Sequence, residues 1–296
     1  MKYFFISVLL ILVFSCELEG VKKTSDIENG VGNQTADTLL TSAAEDLKLK
    51  KSFRDSVENI LSQKEVEMEK VLENGIKINW FKKGEGKLIE KFDVLKIDYR
   101  VKLEDGTVYD GNHLINKKSI AFPVGWNLQT EGWEIAMREL RVGDEVKVFL
   151  PSIYARGKKG IPGIVPPNAN NVLELRILEL MAPTKVVDGT KVYVVEQSKK
   201  HTKTLTQNSK LALDYFVSSE SKPRFDNSYQ RGKSFELTLG DGNIVPGLYK
   251  SLIGLKEMDK AYIHIPSNEA YGKKGLKPNV KPNEDLLYDV ILSQVY

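Results

Sequence analysis

A tyrosine and an aspartate separated by the same number of residues occur together twice in this chain. Tyr99 and Asp110 match Tyr215 and Asp226, each 116 residues further along. Aromatic rings beside one carboxylate suit a ligand pocket with apolar walls and a single polar group. The same residues have a plainer interpretation, since tyrosines are common in protein cores and aspartates are common after turns. The residues that accompany each pair decide between the two interpretations.

The remaining polar residues do not cluster in patterns typical of metal or phosphate chemistry. His113, His201 and His264 lie far apart and have no cysteine partners, so their spacing predicts no zinc site. Glycine pairs at 84–86 and 240–242 are isolated turn signals rather than phosphate loops. The net charge of +3 comes without a basic block, which argues against nucleic acid as a partner. We therefore expect a site that uses no cofactor and no metal.

The repeat extends beyond the two pairs and predicts the number of domains. Gly125 matches Gly240 at an offset of 115, so one insertion or deletion in a loop separates the copies. Each copy is close to the commonest domain size. We expect one domain at residues 76–182 and a second at residues 186–296.

Each copy combines half-buried strands with one short helix. Residues 96–103, 145–150 and 210–216 alternate apolar and polar side chains, as strands with one buried face do. An apolar stripe at i, i+3, i+4 and i+7 begins at Trp133 in the first copy and at Leu248 in the second. One short helix facing a largely antiparallel sheet predicts an α+β fold for each domain.

The N-terminal segment is typical of an exported bacterial protein. Lys2 precedes an apolar run that is too short to span a bilayer and ends at Cys16, the only cysteine. Residues 13–16 resemble a bacterial lipobox, which implies removal of residues 1–15 and lipidation of Cys16; the alternative is an ordinary signal peptide with a chance cysteine. Residues 16–41 are polar and predict a disordered tether. We expect a lipid-anchored protein of the bacterial cell envelope, on the periplasmic face or the surface of the outer membrane.

A helix is predicted over residues 42–75, between this tether and the first domain. Apolar residues recur there mostly at helical spacing, and Asn74 followed by Gly75 is a typical helix stop. The helix is either a spacer packed on the first domain or a stalk that forms a homodimer through residues 42–73. Lys64 falls where an apolar seam residue would be needed, so both alternatives stay open.

An ordered set of motifs gives both copies a family resemblance. The motifs of the first copy are LEDGTVYD at 103–110, FPVG at 122–125, EGWE at 131–134 and GIPGIVPPN at 160–168, and those of the second are RFD at 224–226, FELTLG at 235–240, VPGL at 245–248 and AYG at 270–272. The set resembles the FKBP-type peptidyl-prolyl cis/trans isomerases. This resemblance covers about two thirds of the chain. It implies, in each domain, a five- or six-stranded antiparallel sheet wrapped around the short helix.

The resemblance implies catalysis of rotation about the peptide bond that precedes proline. That rotation crosses a barrier of roughly 20 kcal/mol and takes tens of seconds or longer when uncatalysed. It breaks amide resonance without transferring a proton or an electron pair, so neither a nucleophile nor a metal is required. An apolar cleft disfavours the planar, charge-separated amide, and hydrogen-bond donors favour the twisted one, which is preferential binding of the transition state.

The family's pocket residues carry over almost completely to the second copy. Asp226 is the polar group, Val245 offers its backbone N–H to the substrate carbonyl, and Leu248 stands where many members have tryptophan. The loop at 275–282 is eroded, because Asn279 replaces an apolar contact. The implied catalytic set is Tyr215, Phe225, Asp226, Phe235, Ile244, Val245, Leu248, Tyr271 and Tyr288.

The first copy departs from the family at three pocket positions. Gln129 and Thr130 stand where two aliphatic residues are usual, and Arg156 replaces the tyrosine whose hydroxyl would bond the substrate. A guanidinium at the rim makes the pocket less apolar, although its stem can lie along apolar surface. The other substrate-binding residues that the resemblance implies are Tyr99, Tyr109, Asp110, Ile120, Trp133, Ile164 and Leu173.

Three functions remain open at the level of sequence. The leading hypothesis is a membrane-tethered prolyl isomerase that helps proteins outside the cytoplasm to fold, with proline-containing or unfolded polypeptides as partners. The alternative is a non-catalytic chaperone or assembly scaffold of the same fold, and the third is a structural spacer. The polar substitutions favour binding without catalysis in the first copy, and the fuller aromatic set favours catalysis in the second.

Overall fold

The first domain of this computed structural model, which describes residues 65–201 and 203–296, is built on a seven-stranded antiparallel sheet. Its strands run in the order β1-β2-β6-β7-β3-β4, and β5 pairs with β3. They are β1 (Met68–Val71), β2 (Lys77–Lys82), β3 (Val94–Leu103), β4 (Val108–Gly111), β5 (Ile120–Pro123), β6 (Glu145–Leu150) and β7 (Asn171–Leu180).

The second domain repeats this topology strand for strand. Its order is β11-β10-β14-β13-β9-β8, with β12 paired to β10, again antiparallel throughout. The strands are β8 (Lys185–Val187), β9 (Thr190–Glu196), β10 (Lys210–Ser219), β11 (Asp226–Asn227), β12 (Phe235–Thr238), β13 (Lys260–Ile265) and β14 (Leu286–Val295). The predicted α+β class is confirmed, since each sheet carries one short helix.

Helices α1 (Glu131–Met137) and α2 (Pro246–Leu252) present the predicted apolar stripes to the sheets. Trp133 and Leu140 in the first domain, and Leu248 and Leu252 in the second, are at most 2 % exposed. Burying side chains of this size contributes roughly 1.5–3 kcal/mol each. Each domain has its own contiguous core, and the expectation that each copy of the repeat folds alone stays a prediction.

The end of the predicted helix over residues 42–75 is wrong. Residues 42–64 lie outside the described part of the chain, but Met68–Val71 is a strand paired antiparallel to β2. Gly75, at φ +81°, donates its backbone N–H to Leu72 O at 2.9 Å in the hairpin turn. The asparagine–glycine pair therefore lies in a hairpin turn and does not end a helix. Both uses suit the pair, because glycine readily adopts the left-handed backbone conformation.

This hairpin also changes two other predictions about the first domain. The sheet begins at residue 68 rather than 76, and it has seven strands where five or six were expected. A dimer stalk cannot include residues 68–71 as a helix, because they are already paired in the sheet. The part of the stalk hypothesis that concerns residues 42–64 stays a prediction, as do the expectations for residues 1–41. No helix within the described residues is long and apolar enough to cross a bilayer.

Aromatic rings join the two domains. Phe92 and Trp126 of the first domain pack on His264 of the second, with ring centroids 4.7 and 5.5 Å away. Phe92 and Trp126 also contact each other at 4.8 Å, and Trp126 is only 1 % exposed. The His264 ring is held from behind by Asp285, whose Oδ2 lies 2.8 Å from Nε2. The contact is therefore a packed aromatic cluster.

Ion pairs also connect the two domains. Lys91 of the first domain pairs with Glu220 of the second, and Lys117 pairs with Glu196. Glu196 also accepts from Lys260 at 3.1 Å, so two lysines share one carboxylate. Such half-exposed pairs contribute little energy individually but restrict the relative orientation of the domains.

Candidate functional site

A cleft of about 1160 Å³ opens in the second domain. It collects eight of the nine residues assigned to this site from sequence. The eight are Tyr215, Asp226, Phe235, Ile244, Val245, Leu248, Tyr271 and Tyr288. The ninth, Phe225, packs half-buried against the core of the same domain.

The aromatic wall of the cleft follows from strand alternation. Tyr215 lies on the inward face of β10, where Leu213 and Val217 are also buried. Its ring contacts Phe235 of β12 at 6.1 Å, edge to face, and Tyr288 of β14 at 5.9 Å. Residues far apart in sequence thus form one wall, because β12 and β14 flank β10 in the sheet.

Helix α2 forms the floor of the cleft. Leu248 is 2 % exposed and faces the cleft, while Val245 caps the first turn of the helix. Pro246 takes the first helical position, where a proline loses no hydrogen bond. The loop after β13 brings Tyr271 to the opposite rim, and burial raises the pKa of its hydroxyl. The hydroxyl is therefore a neutral hydrogen-bond donor at physiological pH.

A closed hydrogen-bond network surrounds the carboxylate in this cleft. Tyr215 Oη donates to Asp226 Oδ2 at 2.6 Å, and Arg231 Nη1 donates to Asp226 Oδ1 at 2.6 Å. Arg231 Nη2 also donates to Tyr215 Oη at 2.6 Å. Burial, followed by the bond to Asp226, raises the pKa of Tyr215 to about 12. The network fixes the position of the Asp226 carboxylate and keeps the tyrosine protonated.

The sequence analysis did not identify Arg231 or the polar end of the cleft. It ends the 3₁₀ turn Tyr229–Arg231, five residues after the aspartate that it binds. A cation close in sequence to a proposed pocket aspartate is a signal that could have identified it. The cleft continues past the aromatic wall to further polar residues, which include Lys233, Glu236, Gln294 and Tyr296.

The first domain places the same core pair but surrounds it differently. Tyr99 Oη donates to Asp110 Oδ1 at 3.0 Å, as in the second domain. Trp133 packs edge-on against Tyr99 at 5.2 Å and against Phe122 at 5.5 Å. Burial raises the pKa of Asp110, and the Tyr99 hydrogen bond partly opposes this shift. The pair is therefore more deeply enclosed here than its counterpart in the second domain.

Arg156 enters the first site from the loop after β6, unlike Arg231 in the second. Its Nη2 donates a long 3.5 Å bond to Gln129 Oε1. Burial raises the pKa of Tyr109, and the charge of Arg156 and its hydrogen bond to the Tyr109 hydroxyl partly oppose that shift. Tyr109 in turn donates to Asn171 Oδ1 at 3.1 Å. Gln129 and Arg156 thus lie together, and with Tyr109 and Asn171 they form a polar group. The sequence analysis did not assign Asn171 to this group.

The remaining residues assigned to the first site lie on separate elements, and only Thr130, which follows Gln129, adjoins the polar group around Arg156. Ile120 is half-buried on β5, and Thr130 caps helix α1. Leu173 is fully buried and packs in the core of the domain. Ile164 is 51 % exposed on its loop. No group of three or more metal-ligating side chains occurs within residues 65–201 and 203–296.

Comparison with known proteins identifies the family. The family described as FKBP-type peptidyl-prolyl cis-trans isomerase matches residues 85–178 and 201–293. The chain belongs to this family. Membership supports isomerase activity in general, and each match falls on one of the two domains described above.

Individual relatives are distant. The chain is 24 % identical over 209 residues to the mouse peptidyl-prolyl cis-trans isomerase FKBP10, which covers 70 % of this chain but only 35 % of that protein. It is 31 % identical over 115 residues to FK506-binding protein 1 of Eremothecium gossypii, covering 38 % of this chain and 99 % of that protein. The crystal structure of the three FKBP domains of wheat FKBP73 matches with a TM-score of 0.38 at 21 % identity, over 76 % of this chain and 96 % of that one.

Proposed function

We propose that this chain is a peptidyl-prolyl cis/trans isomerase whose second domain carries the activity. The observation that supports this most is the cleft in which Tyr215, Phe235, Leu248 and Tyr288 form apolar walls around the fixed Asp226 carboxylate. A prolyl ring would enter this cleft and lose water from its amide. The twisted amide would then be favoured over the planar one, since its charge separation is smaller.

Hydrogen-bond donors at the rim would add to this preference. The backbone N–H of Val245, at the start of α2, would bond the substrate carbonyl, and the Tyr271 hydroxyl would bond from the opposite side. The Val245 donor is held at the start of helix α2 and costs no reorganisation when the amide twists, while the Tyr271 hydroxyl is a second donor on the loop after β13. Asp226 would favour the rotated geometry electrostatically, with Arg231 holding the carboxylate in place.

The proposed cellular role is assistance to folding outside the cytoplasm, from a lipid anchor on the bacterial cell envelope. The support for this part is the sequence of residues 13–16, in which a lone cysteine closes an apolar run. Those residues lie outside the described part of the chain. Proline-containing or unfolded polypeptides would be the clients.

A prolyl-peptide isomerisation assay on the full-length chain tests this proposal. We expect acceleration of the cis-to-trans step, and loss of it when Tyr215 and Phe235 are both changed to alanine. A matched double change in the first domain, Tyr99→Ala with Ile120→Ala, should leave most of the activity, because Ile120 occupies the position on β5 that Phe235 occupies on β12. If the chain binds unfolded polypeptides without accelerating isomerisation, the non-catalytic chaperone or scaffold replaces the enzyme.

A further inference from the structure

Three buried polar groups of the first domain have no partner within the described residues, and they lie along one chain of contacts: Arg156 bonds Gln129, which precedes Thr130, and Arg156 and Asn171 both contact the Tyr109 hydroxyl. Asn171 is 2 % exposed, and its Nδ2 has no hydrogen-bond partner within the described residues, although its Oδ1 accepts from Tyr109. Arg156 Nε and Thr130 Oγ1 are likewise enclosed and unpaired in that part of the chain. An enclosed polar group without a partner is unfavourable, so a ligand that bonds these three groups would be stabilised by them.

The chemistry of these groups indicates what the ligand carries. Arg156 Nε and Asn171 Nδ2 are donors only, and the Thr130 hydroxyl donates as readily as it accepts. A ligand that satisfies all three must offer several acceptor atoms close together. A carboxylate has two oxygens with about four acceptor sites in one plane, which matches the forked geometry of a guanidinium.

The charge around the pocket is compatible with an anion. Arg156 makes no direct ion pair among the described residues; its bond to Gln129 is long at 3.5 Å, and its other polar contact is with the neutral Tyr109 hydroxyl. The nearby Asp110 carboxylate is already bonded by the Tyr99 hydroxyl at 3.0 Å and the Gly111 N–H at 2.8 Å. In the second domain, by contrast, Arg231 is committed to Asp226. The first pocket therefore retains a guanidinium that can turn toward a ligand.

We propose that the first pocket binds a carboxylate of a polypeptide, either an acidic side chain beside proline or a C-terminal carboxylate. Arg156 would take the carboxylate through two N–H groups, with Asn171 Nδ2 and Thr130 Oγ1 completing its hydrogen bonds. This is a recognition site for an acidic segment and goes beyond the isomerase activity proposed for the second domain. It does not depend on that activity.

The test uses Trp133 as a reporter that the second domain lacks. All three tryptophans, Trp80, Trp126 and Trp133, belong to the first domain, so a chain labelled with 5-fluorotryptophan gives ¹⁹F signals from that domain only. Phenylalanine substitution at positions 80 and 126 assigns the signals. Four acetylated peptides are titrated: Ala-Glu-Pro-Ala amide against Ala-Gln-Pro-Ala amide, and Ala-Ala-Pro-Ala as free acid against its amide.

We expect a carboxylate peptide to shift the Trp133 signal at a concentration roughly tenfold lower than its neutral partner, since charge-assisted bonds are about twice as strong as neutral ones. The first pair reports an acidic side chain and the second a C-terminus. Arg156→Gln should abolish the preference, while Lys158→Gln, which removes an exposed cation two residues away, should retain it.

Arg156→Lys is the control for loss of folding. It keeps the positive charge, so it should retain part of the preference for carboxylate peptides. An unchanged unliganded Trp133 signal confirms that each variant is folded. Equal affinity for charged and neutral peptides, a preference that survives in Arg156→Gln, or no Trp133 shift with any peptide would each overturn the proposal. The isomerase assay has no part in these readouts, so failure here is separate from failure of the proposed catalytic function.

Discussion

At the scale of single residues, the same tyrosine–aspartate pair has different charged neighbours in the two domains. Asp226 is held by Arg231 from its own turn, whereas Asp110 is enclosed more deeply and faces Arg156 from a distant loop. Sequence could identify the pairs, because their spacing repeats. Periodicity did not identify Arg231, because a contact made within an irregular turn leaves no periodic signal; the available clue was its place five residues after Asp226.

Asp226→Asn should lower kcat/KM of the full-length chain by roughly tenfold. The change keeps the shape but removes the negative charge, and charged hydrogen bonds contribute about 1.5–3 kcal/mol each. Asp110→Asn is the matched control in the first domain and should change the rate far less. The measurement is prolyl-peptide isomerisation with both proteins at one concentration, and a larger loss from Asp110→Asn would contradict the assignment of activity to the second domain.

Tyr271→Phe should cost about fivefold in the same assay, which corresponds to one hydrogen bond of about 1 kcal/mol. The ring remains to pack against the core of the second domain, so only the hydroxyl donor is lost. The unfolding midpoint of the variant should be unchanged. An unaltered rate would show that the hydroxyl does not contact the reacting amide.

At the scale of elements, equivalent strands carry carboxylates in opposite surroundings. Glu174 on β7 lies between Arg100 and Lys147 on the neighbouring strands, and it pairs with Lys102 at 2.9 Å. Asp289 takes the equivalent place on β14. Alternation predicted the neighbouring strands at residues 96–103, 145–150 and 210–216, but it did not single out β7 or β14. Which side chains become neighbours on the outward face of the sheet depends on the strand register, and local sequence does not specify that register.

Asp289 lies between Phe216 and Tyr262 on the adjoining strands. Burial raises its pKa to about 6, and Arg224 and Lys260 only partly oppose the shift. A carboxyl whose folded pKa is raised binds protons better in the folded state. Its ionisation therefore removes stability as the pH rises through the window from its unfolded value of 3.8 to about 6.

Asp289→Asn should accordingly stabilise the second domain at pH 7.5, by an amount on the order of 1–3 kcal/mol, and the gain should vanish near pH 4. Thermal unfolding at both pH values measures it. Glu174→Gln is the matched control, and it should not stabilise, because it removes the partner of two lysines. Equal effects of Asp289→Asn at both pH values would show that the carboxyl is not responsible.

At the scale of the whole molecule, sequence predicted two domains but not their contact. The repeat and its motifs depend on residues that each fold requires, so they appear in both copies. The cluster of Phe92, Trp126 and His264 belongs to neither pattern, because its contacts cross from one copy of the repeat to the other. Phe92 also has a left-handed backbone, at φ +72°, which a bulky residue adopts only where its surroundings hold it there.

A fragment of residues 68–183 should fold cooperatively but unfold roughly 5 °C below the same domain in the full chain. Separation exposes Trp126 and Phe92 and removes their ring partner, and aromatic pairs contribute about 0.5–1.5 kcal/mol beyond their buried area. Tryptophan fluorescence follows the first domain alone. His264→Ala in the full chain should reproduce part of the decrease, and identical midpoints for fragment and full chain would show that the contact is not energetically significant.

The joined domains have a consequence for long ligands. With the aromatic cluster and ion pairs limiting relative motion, a polypeptide held in one pocket meets the other at a high effective concentration. Engagement of the second pocket then becomes an intramolecular step, which raises overall affinity without any new contact, provided that the chain can span both pockets. Such avidity would make the protein discriminate by length: short peptides would be released quickly, while extended unfolded chains would be retained.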